Sequence, residues 1–138
     1  MIDKEIVQAK LNIMHDNMIL IKDILSKSNE ELKVLDIERS AMERCFQLIV
    51  DAAVGINEHI ISEENLKIPN DYYGTFLILG SSDILPREFA DKIAPSVGLR
   101  NRLVHQYEKI DISRMILDIR QNINDYDKYM AIISDFVE

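Results

Sequence analysis

Apolar residues recur along this chain at helical spacing. Near the start, Ile2, Ile6, Ala9, Ile13, Leu20 and Ile24 follow steps of four, three, four, seven and four. That spacing draws one stripe down a helix from about Asp3 to Lys27. The polar run Ser26-Lys27-Ser28-Asn29 interrupts it, and Asp36 is placed to cap a second helix reaching about Ile61. The second helix carries two adjacent stripes. One is Ala41, Cys45, Leu48, Ala52 and Gly55; the other is Met42, Phe46, Ile49, Ala53, Ile56 and Ile60. A small-residue stripe beside a large-residue stripe suits a central helix that a neighbour approaches closely, and also a subunit contact.

From Ser62 to Gly74 the chain reads as loop, with Pro69-Asn70-Asp71 as the turn. Phe76–Leu79 predicts a short helical turn stopped by Gly80. Asp83 and Pro86 open a further helix running to about His105, with Pro95 kinking or interrupting it. Asp111 caps the last helix, in which Ile112, Ile116, Ile119, Ile123, Tyr126, Met130, Ile133 and Val137 alternate steps of four and three. Such a seam belongs to an antiparallel bundle, with its Met and Tyr in the core. The expected fold is all-α, an antiparallel helical bundle of four to five helices forming one domain over residues 1–138.

Composition agrees. Only 4 Gly and 3 Pro in 138 residues favour long helices over many-turned β folds. The single cysteine, Cys45, excludes an intramolecular disulfide and sits among Met42, Phe46 and Ile49 as a small core hydrophobe. The N-terminal residues do not read as a signal peptide, and no apolar run approaches the ~20 residues a bilayer requires. The expected compartment is cytoplasmic, with no membrane partner.

Charge narrows the function. A net charge of −8 argues against general nucleic-acid binding, which phosphate contacts dominate. The balance is uneven, however. Between Leu85 and Arg120, seven basic residues (Arg87, Lys92, Arg100, Arg102, Lys109, Arg114, Arg120) oppose five acidic ones (Glu88, Asp91, Glu108, Asp111, Asp118). A local anion site fits there, whereas a broad basic face does not.

Within that segment, Arg100 to Tyr107 gathers two arginines, an asparagine, a histidine and a tyrosine. RNA is cleaved without a metal when its 2′-hydroxyl is deprotonated and attacks the adjacent phosphate. A histidine such as His105 moves that proton near neutral pH. An arginine such as Arg100 meets the charge developing on phosphorus with a planar, permanently ionised fork. Asn101 and His105, four apart, share a helix face, so the amide is placed to orient the imidazole. Arg100 and Tyr107, seven apart, also share one. Arg100 and His105 are five apart, about 140° round an ideal helix, and converge if the helix ends there or the arginine reaches round.

The run Arg100-Asn101-x-x-x-His105-x-Tyr107 resembles the Arg-x4-His-x-Tyr signature of HEPN ribonucleases, and among them the HepT toxin family. The resemblance extends to Glu43-Arg44 and Gln47, to Pro69-Asn70-Asp71-Tyr72, and from Gly98-Leu99-Arg100-Asn101 through Ile110-Asp111. It implies a HEPN-like helical bundle that forms a homodimer and brings two signature segments to one cleft. It implies Arg100 and His105 as the catalytic pair of a metal-independent endoribonuclease toxin, supported by Asn101. It further implies a minimal nucleotidyltransferase antitoxin that adds AMP to Tyr107, a bulky anion that would compete for Arg100. Arg102 and Lys109 are the expected RNA contacts. RNA is the expected substrate rather than DNA, and no metal or organic cofactor is expected. A non-catalytic bundle that docks a nucleotidyltransferase, or a purely structural dimerisation domain, are the alternatives.

Other residues read as structural. His59 and Glu63 are four apart and make half a metal site, but more simply a solvated turn. His15 belongs on the surface. Tyr72 and Tyr73 offer faces on which a base can stack, although packing against the bundle is the simpler expectation.

Overall fold

The structure, a computed structural model, describes residues 1–105 and 110–138, which form seven helical segments. α1 (Lys4–Ile24) starts at Asp3, whose side chain accepts hydrogen bonds from the amides of Glu5 and Ile6. Its buried stripe is Val7, Leu11, Met14, Met18 and Ile21, not the one expected above. Ile6, Ile13 and Leu20 are exposed at 41%, 45% and 56%. α1 carries two apolar stripes with helical spacing, and the core takes the one that faces α3.

A short helix, α2 (Asn29–Val34), follows where the sequence shows a polar break. Ser28 and Glu31 form a reciprocal capping box across its first turn. Arg39 then donates to the carbonyls of Leu32 and Lys33 and to Asp36, so one guanidinium ties the end of α2 to the start of α3. Asp36 is thus the first residue of α3 (Asp36–Glu63), and Leu35 is its cap.

α3 is the central helix and packs against α1, α2, α4 and α6. Its large-residue stripe is fully buried, and Cys45 is buried beside it, with burial pushing its thiol pKa up. A Cβ at Gly55 would meet only the flexible end of the Lys10 side chain of α1, at 3.0 Å.

α4 (Tyr72–Ser81) is capped by Asp71, whose Oδ1 accepts from Gly74 N. The helix ends at Ser81, one residue past the expected stop at Gly80. In this last turn a Cβ at Gly80 would stand 2.6 Å from Ala90 Cβ, so Gly80 permits the close crossing of α4 and α5 (Arg87–Ile93). Pro95 separates α5 from α6, described over Ser96–His105, and the helix expected from Asp83 to His105 is two. α7 (Ile112–Val137) is capped by Asp111 as expected. Ile116, Ile119, Ile123, Tyr126 and Ile133 of its seam are buried, while Ile112 is exposed.

Buried apolar residues from Val7 to Ile133 form one cluster. At its centre the rings of Phe76, Tyr126 and Tyr129 meet edge to face. Burial holds both tyrosine hydroxyls far above the usual phenol range, so they stay neutral. Tyr129 donates to Asn57 Oδ1 at 2.6 Å, Asn57 Nδ2 donates to Thr75 Oγ1, and Thr75 donates to the carbonyl of Tyr72. The relay joins α7 to α3 and α4, and it ends at the backbone of a residue in the candidate site.

Candidate active site at the Arg100 guanidinium

α6 is positioned by Ser96, Val97, Leu99 and Leu103, all buried. Ser96 Oγ shares a 2.6 Å hydrogen bond with the Tyr126 hydroxyl, which anchors the first turn after Pro95. Arg100 follows Leu99 on the flank of this buried face. Its side chain is only 16% exposed.

Three groups hold the guanidinium. Nε donates to Asp51 Oδ1 of α3 at 2.7 Å, and Nη1 donates to Asn101 Oδ1 at 3.1 Å. Cζ lies 5.8 Å from the centroid of the Tyr72 ring at the start of α4, within cation–π range. Three helices therefore fix one side chain. Among the described residues Nη2 takes no hydrogen-bond partner, leaving two N–H groups for an incoming anion. The partly buried pair raises the strength of any such contact, because charge is less screened there than in open solvent.

Asp51 is the candidate-site residue that the sequence pattern did not single out. Its signal was a lone carboxylate inside the otherwise apolar run Val50-Asp51-Ala52-Ala53-Val54 of a buried helix, where an acid normally has a partner. Tyr72 departs from expectation in a different way. It is 43% exposed and carries Arg100 over its ring rather than packing into the bundle.

His105 is exposed, in the last described turn of α6. Tyr107 and Lys109 lie outside the described residues, as do Gln106 and Glu108. Arg102 is two positions on from Arg100, about 200° round the helix. It lines two grooves between α6 and α7, one of about 630 Å³ with Lys92 and Asp125, the other of about 230 Å³ with Arg114. The structure therefore sends the two arginines to different faces.

The local excess of positive charge is also largely committed to structure. Arg120 donates to Asn29 and to the carbonyls of Leu25 and Lys27, clamping α7 to the α1–α2 turn. Arg114 pairs with Asp118, and Lys92 with Asp125.

His59 is structural. Its Nε2 accepts from Asp3 N at 2.9 Å, and Glu63 pairs with the Met1 amino group. Among the described residues no three His, Cys, Asp or Glu side chains gather as metal ligands, and no helix is long and apolar enough to cross a membrane.

Known proteins are similar to this chain in sequence and fold. The tRNA nuclease HepT of Aphanizomenon flos-aquae (strain 2012/KM1/D3) is 33% identical over 138 residues, covering 99% of this chain and 92% of the relative. The mRNA nuclease HepT of Shewanella oneidensis is 24% identical over 92 residues, covering 67% of this chain and 66% of the relative. A solved structure of the tri-AMPylated Shewanella oneidensis HEPN toxin in complex with an MNT antitoxin shares the fold, with a TM-score of 0.88 at 19% identity, covering 96% of this chain and 99% of that one. The Ribonuclease HepT-like family model matches residues 14–133. With a family model and a near-full-length relative in agreement, the chain belongs to the ribonuclease HepT-like family.

Proposed function

We propose that this chain is the toxin of a toxin–antitoxin pair, an endoribonuclease that cuts RNA without a metal. The observation that carries the reading is the Arg100 guanidinium, held by Asp51, Asn101 and Tyr72 with Nη2 unpaired among the described residues. In the proposed reaction the 2′-oxygen gives its proton to a base and attacks the adjacent phosphorus. The 5′-oxygen leaves and takes up a proton. The products are a 2′,3′-cyclic phosphate and a 5′-hydroxyl. Arg100 stabilises the extra charge on the pentacoordinate phosphorus, and His105 moves the protons. Because the nucleophile is the 2′-hydroxyl, RNA is the substrate and DNA is not. Of the two relatives the more similar is a tRNA nuclease, which makes transfer RNA the first substrate to test. Arg102 and Lys109 contact the RNA away from the reacting phosphate.

The protein works as a cytoplasmic homodimer. Ile6, Ile13 and Leu20, seven residues apart and exposed on α1, give a second copy an apolar seam. Sedimentation at several concentrations reads the oligomeric state, and a monomer throughout would remove this part. Its antitoxin is a minimal nucleotidyltransferase that adds AMP to Tyr107. Mass spectrometry of the co-expressed chain tests that step, and the absence of AMP on Tyr107 would sink it.

The deciding experiment expresses the wild type and His105→Ala without a partner and follows growth and total RNA in EDTA. Arrest and cleavage by the wild type alone support the reading. If neither protein cuts RNA and both are harmless, a non-catalytic bundle docking a nucleotidyltransferase takes its place.

A further inference from the structure

A cavity of about 500 Å³ opens between the last turns of α3, the 64–71 loop and the start of α4. Its volume falls in the range of small-molecule sites, about 300–1,000 Å³. Glu58, Ser62, Asn65, Asn70 and Asp71 are among its polar groups, and Ile68, Pro69 and Tyr72 line it as well. Tyr72 also carries Arg100 over its ring, so the cavity and the guanidinium meet at one side chain.

The lining determines what fits. Among the described residues no lysine, arginine or histidine lines the cavity, so a phosphate meets no cation there and faces the carboxylates of Glu58 and Asp71 instead. A flat, neutral ring has an aromatic side chain to stack on and apolar walls beside it. Glu58 is solvent-exposed and has no hydrogen-bond or ion-pair partner among the described residues, so its carboxylate is open to the N–H or O–H groups of a ligand. Asp71 also lines the cavity, but with Oδ1 capping Gly74 N it has one oxygen left rather than a free pair.

Glu58 stands on the same line of α3 as Asp51, seven residues and so about 10 Å along the axis. One nucleotide spans that separation from its phosphate to the edge of its base. A phosphate held by Arg100 thus leaves its own or the adjoining base within reach of Glu58.

We infer that this cavity is a nucleobase pocket that selects the base beside the cleaved linkage, and that it prefers guanine. Guanine presents N1–H and an amino group side by side, which match the two oxygens of Glu58. Adenine and cytosine offer an amino group with no N–H beside it. Uracil brings carbonyl oxygens against the carboxylate on either side of its N–H and is disfavoured. The pocket deepens the ribonuclease reading and rests on it.

The test uses the full chain and short, uncleavable 2′-deoxy-substituted oligonucleotides of uracil with one guanine, adenine or cytosine placed at each position. Fluorescence anisotropy gives the affinities. Guanine at one position is expected to tighten binding roughly tenfold or more over uracil, and Glu58→Gln to remove most of that preference. Tyr72→Phe is expected to keep it and Tyr72→Ala to lose it. Equal preference in the wild type and Glu58→Gln overturns the pocket. The all-ribose versions separate the two readings. His105-dependent cleavage with a base preference indifferent to Glu58 removes the pocket and leaves the ribonuclease. Glu58-dependent guanine binding without any cleavage keeps the pocket as a binding site and removes the ribonuclease.

Discussion

Asp51 Oδ1 and Arg100 Nε meet at 2.7 Å across 49 residues of sequence, on two helices whose packing brings a half-buried carboxylate to a mostly buried guanidinium. The bond occupies one edge of the arginine and thereby decides which donors remain for a phosphate. On the proposed reading Asp51 is a positioning residue, acting on the reaction only through Arg100.

Asp51→Ala should lower kcat for RNA cleavage about ten- to a hundredfold, with a smaller change in KM, because the guanidinium loses its orientation rather than its charge. Asp51→Asn keeps an acceptor at the same place and should recover part of the loss. Arg100→Lys retains the charge but not the fork, and should fall about a hundredfold or more. Steady-state kinetics on one defined RNA checks all three. A raised KM with unchanged kcat in both Asp51→Asn and Asp51→Ala would show a binding role instead.

Gly80 and Ala90 cross too closely for a second methyl group, with 2.6 Å between a Cβ at 80 and Ala90 Cβ. Gly80→Ala is expected to destabilise by about 1–3 kcal/mol despite the better helix propensity of alanine. Adding Ala90→Gly should recover part of that loss. Urea melts of the two single variants and the double variant measure the coupling, and strict additivity would rule the contact out.

Tyr129→Phe removes the proton that satisfies Asn57 Oδ1 and leaves a buried acceptor without a partner. The expected cost is about 1–3 kcal/mol, read as a lowered Tm. A Tm within error of the wild type would mean that the relay through Asn57 and Thr75 rearranges freely.

Glu43 gives a pH dependence with a definite sign. Burial raises its carboxyl pKa above the usual value, against a smaller attraction from Arg39. The fold therefore favours the neutral form. That contribution is fully present below the unfolded carboxylate value and is lost as pH rises through the raised folded one. Glu43→Gln stays neutral throughout. The variant should melt above the wild type at neutral pH, and the gap should close as the pH falls below 4 or so. A gap independent of pH would show that Glu43 is not the group responsible.

How much of this was legible depends on whether the partner of a pattern was local. The α7 seam could be read because its alternating steps of four and three match one helix and nothing else. The Asp111 cap and the break at Pro95 could be read because backbone chemistry fixes both within a few residues. In α1 the same method chose the wrong stripe. Val7, Leu11, Met14, Met18 and Ile21 are buried while Ile6, Ile13 and Leu20 are exposed, and periodicity cannot say which of two apolar faces a neighbour will cover. The helix α2 was signalled by Ser28 and Glu31 at capping-box spacing, although its polarity reads as loop. Gly80 reads as a stop because glycine is a poor helix former, and only the crossing with α5 shows its packing role. The cluster containing Arg100 was visible as composition. Its anchor at Asp51 and its ring at Tyr72 were not, because both contacts are tertiary.

The relay from Tyr129 through Asn57 and Thr75 ends on the carbonyl of the residue whose ring lies under Arg100. A genetic selection for cells that survive the unneutralised protein should therefore return two kinds of survivor. Some will have lost the reacting groups themselves. Others will make a soluble, folded chain altered only in its interior, their harm abolished from a distance because the platform beneath the arginine has shifted.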